Sequence, residues 1–188
     1  MLGLVSAASL ADTPKLKIKL AHNTDREQQA QQQVERLAQQ FDLKKYTLTR
    51  DIIIEQGAIP HSSPVPTLNV RFLGNDDLAL SSYLHEQAHW VMMERHRNDI
   101  RDLIADLERA FPNLDYRVPQ GDGDMRTSYV HIVVCMLEWH AMEELVGTER
   151  ARKTTEWKQG DHYKDIYKID LDHREQVEGI MKRYGIQW

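Results

Sequence analysis

Residues 76–92 carry Leu78, Leu80, Tyr83, Leu84 and Met92 in an apolar pattern of helical spacing, and His85, Glu86 and His89 fall inside that stretch. Whatever packs against such a helix must accommodate two imidazoles and a carboxylate. Four residues make about one helical turn, so His85 and His89 project from one face and can meet a single ion. Glu86 is turned by roughly 100° from His85, within reach of a water on that ion without being a ligand itself. The one cysteine, Cys135, excludes an intrachain disulfide and a cysteine-rich zinc cage. Any metal in this chain therefore relies on histidine and carboxylate donors.

The rest of the chain supplies a framework. Leu16, Ile18 and Leu20 alternate with lysines, which predicts a strand over 15–20. Thr24 with Glu27 is a capping-box pattern opening a helix to about residue 41, and its glutamine run lies on the solvated face. A β-branched run predicts a second strand over 46–55, and Leu68, Val70 and Phe72 a third. Prolines at 60, 64 and 66 place that third strand at a sheet edge. Asn75 or Asp76 caps the histidine-bearing helix. Further helices are predicted at 100–111, at 127–146 closed by Gly147, and after an Asp172–Glu175 cap. The order βαββ followed by helices gives an α+β fold, and 188 residues fit a single domain over 12–188.

Charge and length exclude some functions. With 24 Lys and Arg against 29 Asp and Glu the net charge is −5, contrary to the basic footprint of a nucleic-acid binder. No apolar run approaches the roughly 18–20 residues of a membrane span. Residues 1–11 read as the tail of an export signal, with small residues before Asp12, although the basic start of such a signal is missing. That reading favours a periplasmic or secreted location over a cytoplasmic one.

A zinc ion needs a third protein ligand. An extension of the motif within its own helix fails, because positions 92 and 95 are Met and Arg. The 127–146 helix offers Glu138 in the middle of an apolar stripe through Val134, Cys135, Ala141 and Met142, where a carboxylate has to be paired or metal-bound. His131 shares that face, two turns earlier, as a hydrogen-bonding neighbour or as the ligand in place of Glu138. A buried ion pair of Glu138 with Arg71 or Arg126 is the metal-free alternative.

The His85-Glu86-Gln87-Ala88-His89 run, followed some fifty residues later by a helical Glu138, resembles the gluzincin branch of the zincin metallopeptidases. Residues 59–147 also resemble small bacterial metallopeptidases that are themselves uncharacterised. The resemblance implies a small zincin-like domain, with an edge strand before the histidine helix and a mostly helical C-terminal half. It implies zinc on His85, His89 and Glu138, and Glu86 as general base for a water on the zinc that hydrolyses a peptide or protein substrate. The chain is much smaller than thermolysin, and Met142 stands where the larger gluzincins place an aspartate four residues after the glutamate ligand.

Donors for the oxyanion are sought among His61, His162, Tyr163 and Tyr167, with both tyrosines ranked above His61. The edge strand over 67–72 is a candidate for pairing with an extended peptide. Two other readings stay open. One is a zinc-stabilised binding or regulatory protein without turnover, and the other a metal-free domain in which Glu138 is paired to a basic residue. Sequence does not fix the oligomeric state.

Overall fold

The computed structural model describes residues 15–188, so the export-signal reading of residues 1–11 lies outside the described residues. Strand β1 (Lys17–Leu20), helix α1 (Asp25–Gln40) and strand β2 (Asp51–Ile54) form a parallel βαβ unit, which β3 (Thr67–Leu68) extends. The strand order is β1-β2-β3, with Ile52 opposite Ile18 and Leu68 opposite Ile54. Six helices follow: α2 (Asp76–Arg95), α3 (Ile100–Ala110), α4 (Met125–Val146), α5 (Thr148–Asp161), α6 (Lys164–Asp172) and α7 (Arg174–Arg183). The architecture is α+β and mostly helical after β3. Among the described residues no helix is long and apolar enough to cross a membrane.

Several local signals act as their chemistry dictates. Thr24 and Glu27 form the full capping box, and Glu27 also accepts from the backbone N–H groups of His22 (2.9 Å) and Gln56 (3.0 Å). One carboxylate thus ties the end of β1, the start of α1 and the end of β2 together. Asn75 caps α2 through Leu78 N, and Asp124 caps α4 through Thr127 N.

Helix α4 is the centre of the molecule. It packs against α2, α3, α5, α6 and α7, and every residue from 131 to 139 is buried. A helix covered on all sides has no polar face in that region, so His131 and Glu138 must both find partners inside the protein.

Other expectations are corrected. Residues 46–50 do not extend β2 but close a turn over 44–46 and run on as irregular backbone, because the buried Gln87 amide holds them. Its Oε1 accepts from Leu48 N (2.8 Å) and Thr49 N (3.1 Å), and its Nε2 donates to Thr49 O (2.9 Å). Strand β3 stops at Leu68, since Asn69 turns the chain by accepting from Arg71 N (3.0 Å). Asp172 ends α6 and does not cap α7, which starts at Arg174 without a side-chain cap.

A candidate metal centre

Helices α2 and α4 bring three imidazoles together. Ring centroids lie 5.0 Å apart for His85 and His89, 4.7 Å for His89 and His131, and 5.5 Å for His85 and His131. One ring nitrogen from each lies within 4.8 Å of the other two. His85 and His131 are buried and His89 is half-buried.

Hydrogen bonds behind the rings settle which nitrogens are free. His85 Nδ1 lies 2.9 Å from Glu138 Oε2, and His131 Nδ1 lies 2.8 Å from Thr127 O. Each acceptor takes an N–H, which leaves Nε2 of both rings as the lone-pair donor. Burial holds the imidazoles neutral: it lowers His85 to about 4, His89 well below its ordinary value, and His131 in the same direction. Three neutral imidazoles with converging nitrogens are a donor set suited to zinc.

Glu138 takes a different place from the one expected as third ligand. It is 2% exposed and accepts from Lys158 Nζ (2.9 Å), His85 Nδ1 (2.9 Å), Tyr167 OH (3.1 Å) and Ser81 Oγ. Both oxygens are fully engaged, and the carboxylate does not converge with His85 and His89. Burial alone would raise its pKa, but the Lys158 ammonium and the His85 hydrogen bond hold it down at about 2. The ion pair expected of a metal-free interior is therefore present, with Lys158 in the role and not Arg71 or Arg126. Cys135 lies beside His85 and Glu138, but burial pushes its thiol well up, away from the thiolate a metal requires.

Glu86 is 4% exposed, and its Oε2 is buried without a hydrogen-bond partner. Burial pushes this carboxyl up to about 8 against the pull of Lys158. It lines a cleft of about 410 Å3, as do His85, His162 and Tyr163. Ile59 (85% exposed) and Val118 (73%) form the outer lips of that cleft.

The candidate oxyanion donors separate by position. Tyr167 is buried behind the site, away from the cleft, with its hydroxyl given to Glu138. Tyr163 lines the cleft in the left-handed region (φ 49°), its ring 4.6 Å from His131 and its hydroxyl donating to Asp122 Oδ1 (3.0 Å). His61 is exposed and stands outside the cleft. His162 has its Nδ1 2.8 Å from Asp161 Oδ2, and Arg71 grips the Asp161 carboxylate from the other side at 2.7 and 2.6 Å. That double hydrogen bond holds Asp161 at about 2.

The edge of β3 is not open to a peptide at Thr67. Thr67 N donates to His61 O (2.7 Å) and His61 N donates to Thr67 O (3.2 Å), so the chain caps its own edge there. Comparison of the chain with models of known protein families, with curated proteins and with solved structures finds no match.

Proposed function

We propose that this chain is a zinc-dependent hydrolase of peptide bonds, with zinc held by His85, His89 and His131. The observation that carries the reading is the pairing of three convergent neutral imidazoles with the unpartnered Glu86 carboxyl at the buried end of a cleft. An edge strand leading into the His-Glu-x-x-His helix supports a zincin-like scaffold, while the three-imidazole set departs from the gluzincin ligands that the sequence resemblance implies. Three protein ligands without a fourth would suit a catalytic zinc and not a closed structural one.

Zinc held there supplies a Lewis acid that polarises a carbonyl and acidifies water. Beside a cation on the three imidazoles the raised Glu86 pKa is drawn back down, and the group is held as a carboxylate. Glu86 then takes the proton from water as the oxygen adds to the scissile carbonyl carbon, and returns it to the nitrogen as the C–N bond breaks. Its lack of a competing hydrogen bond keeps Oε2 available for that transfer. Asp161 takes the Nδ1–H of His162, so His162 donates to the carbonyl oxygen only as the imidazolium, which carries a second N–H at Nε2. Burial opposes that protonation and the Asp161 carboxylate favours it. Glu138 fixes the His85 ring and tautomer, and Tyr163 packs on His131.

A non-catalytic zinc protein would share the imidazoles but has no use for Glu86. The test is turnover of a peptide mixture, read by mass spectrometry, in wild type and Glu86→Gln. The variant keeps its zinc and loses about 100- to 10,000-fold in rate. Equal turnover in both would refute the assigned role.

A further inference from the structure

The imidazole cluster is bordered on a second side. His89 and His131 line a hollow of about 190 Å3, distinct from the Glu86 cleft, whose wall is formed by Ile100, Ile104 and Val130. Arg126 and Thr127 complete the lining. Arg126 stands exposed on the first turn of α4 and its guanidinium has no carboxylate within ion-pair distance among the described residues; nearby Asp124 feels its charge, while Oδ1 of Asp124 caps α4 through Thr127. An apolar wall with an exposed guanidinium at its end is complementary to an apolar residue carrying a terminal carboxylate.

Resting on the peptidase reading above, we infer that this hollow is the leaving-group subsite and that Arg126 binds the C-terminal carboxylate of the substrate. The size of the hollow limits the leaving group. At about 190 Å3, with Arg126 and His131 both on its lining, it takes only a short C-terminal segment. The acyl side of the substrate then lies in the larger cleft with Glu86, and hydrolysis releases a short C-terminal fragment.

The test reads binding and turnover separately. N-acetyl-leucine and N-acetyl-leucinamide are titrated by calorimetry or NMR into metal-free and zinc-supplemented protein, wild type beside Arg126→Ala and Arg126→Lys. The acid binds at least about tenfold more tightly than the amide in both metal states, as expected of a charge-assisted contact. That preference is lost in Arg126→Ala and partly kept in Arg126→Lys. A preference that survives in Arg126→Ala, or that exists only with zinc present, assigns the carboxylate to another partner and overturns the inference. For turnover, short peptides with free and amidated C-termini are compared. The kcat/KM ratio of acid to amide exceeds about ten in wild type and falls towards one in Arg126→Ala. Equal cleavage of both by wild type overturns the inference while leaving the peptidase reading intact. Absence of zinc and of turnover refutes the peptidase reading, and the metal-free titration still decides whether Arg126 binds a carboxylate.

Discussion

Glu138 Oε2 lies 2.9 Å from Nδ1 of His85, and the other oxygen of the same carboxylate lies 2.9 Å from Lys158 Nζ. The glutamate therefore stands behind the imidazole, and its charge is matched by an ammonium as buried as itself, each side chain 3% exposed. A carboxylate so placed fixes a histidine's tautomer and raises its basicity while leaving the metal-facing nitrogen free.

The pair makes Lys158 a structural residue of the site. Replacing it by Met leaves the Glu138 carboxylate buried without its counter-charge, and the expected loss is about 3–5 kcal/mol of stability in urea denaturation. The double variant Lys158→Met with Glu138→Gln recovers much of that loss, because no lone charge remains and the amide oxygen still accepts from the buried donors around it. A double variant as unstable as the single one would show that packing, and not charge, sets the cost.

His162 acts through its orientation by Asp161. His162→Gln lowers kcat by about 100- to 1,000-fold with KM little changed, the signature of a contact made only as charge develops on the carbonyl oxygen. Asp161→Asn, which weakens the grip of Arg71 and of His162 together, follows it in the same direction by a smaller factor. A pure KM effect in His162→Gln would place it in substrate binding instead.

Asp170 of α6 is fully buried, and neither carboxylate oxygen has a hydrogen-bond partner. Burial, reinforced by the nearby Glu138 charge, pushes its pKa well above the ordinary 3.8. The folded protein holds this proton while the unfolded chain releases it, so stability falls as pH rises above about 4. Asp170→Asn removes that slope. The variant is more stable than wild type at pH 7, by roughly 1–3 kcal/mol, and the gap narrows towards pH 4. A gap that widens on acidification would contradict this account.

Much of the fold was legible where one residue controls a local structure. Thr24 with Glu27, Asn75 and Gly147 marked helix ends by their own chemistry, and His85 with His89 gave two members of the imidazole cluster. Helices α5 and α6 left no such trace. The buried positions of α5 are Ala151, Thr154, Thr155 and Lys158, which do not read as an apolar stripe. Lys158 is interior because Glu138 is there to meet it, a dependence across two helices that spacing along one helix cannot reveal. The same holds for His131 and Glu138. Both lie on the buried helix α4, and which one faces His89 depends on how α4 crosses α2. Ser81 did carry a signal, since it sits one turn before His85 on the same face of α2.

The most direct test of the account is zinc content by elemental analysis after dialysis, in wild type and in His89→Ala, His131→Ala, Glu138→Gln and Glu86→Gln. The account predicts about one zinc per chain in wild type and Glu86→Gln, loss in His89→Ala and His131→Ala, and retention with affinity weakened about 10- to 100-fold in Glu138→Gln. Zinc kept in His131→Ala and abolished in Glu138→Gln, or no zinc in wild type supplied with the metal, would contradict it.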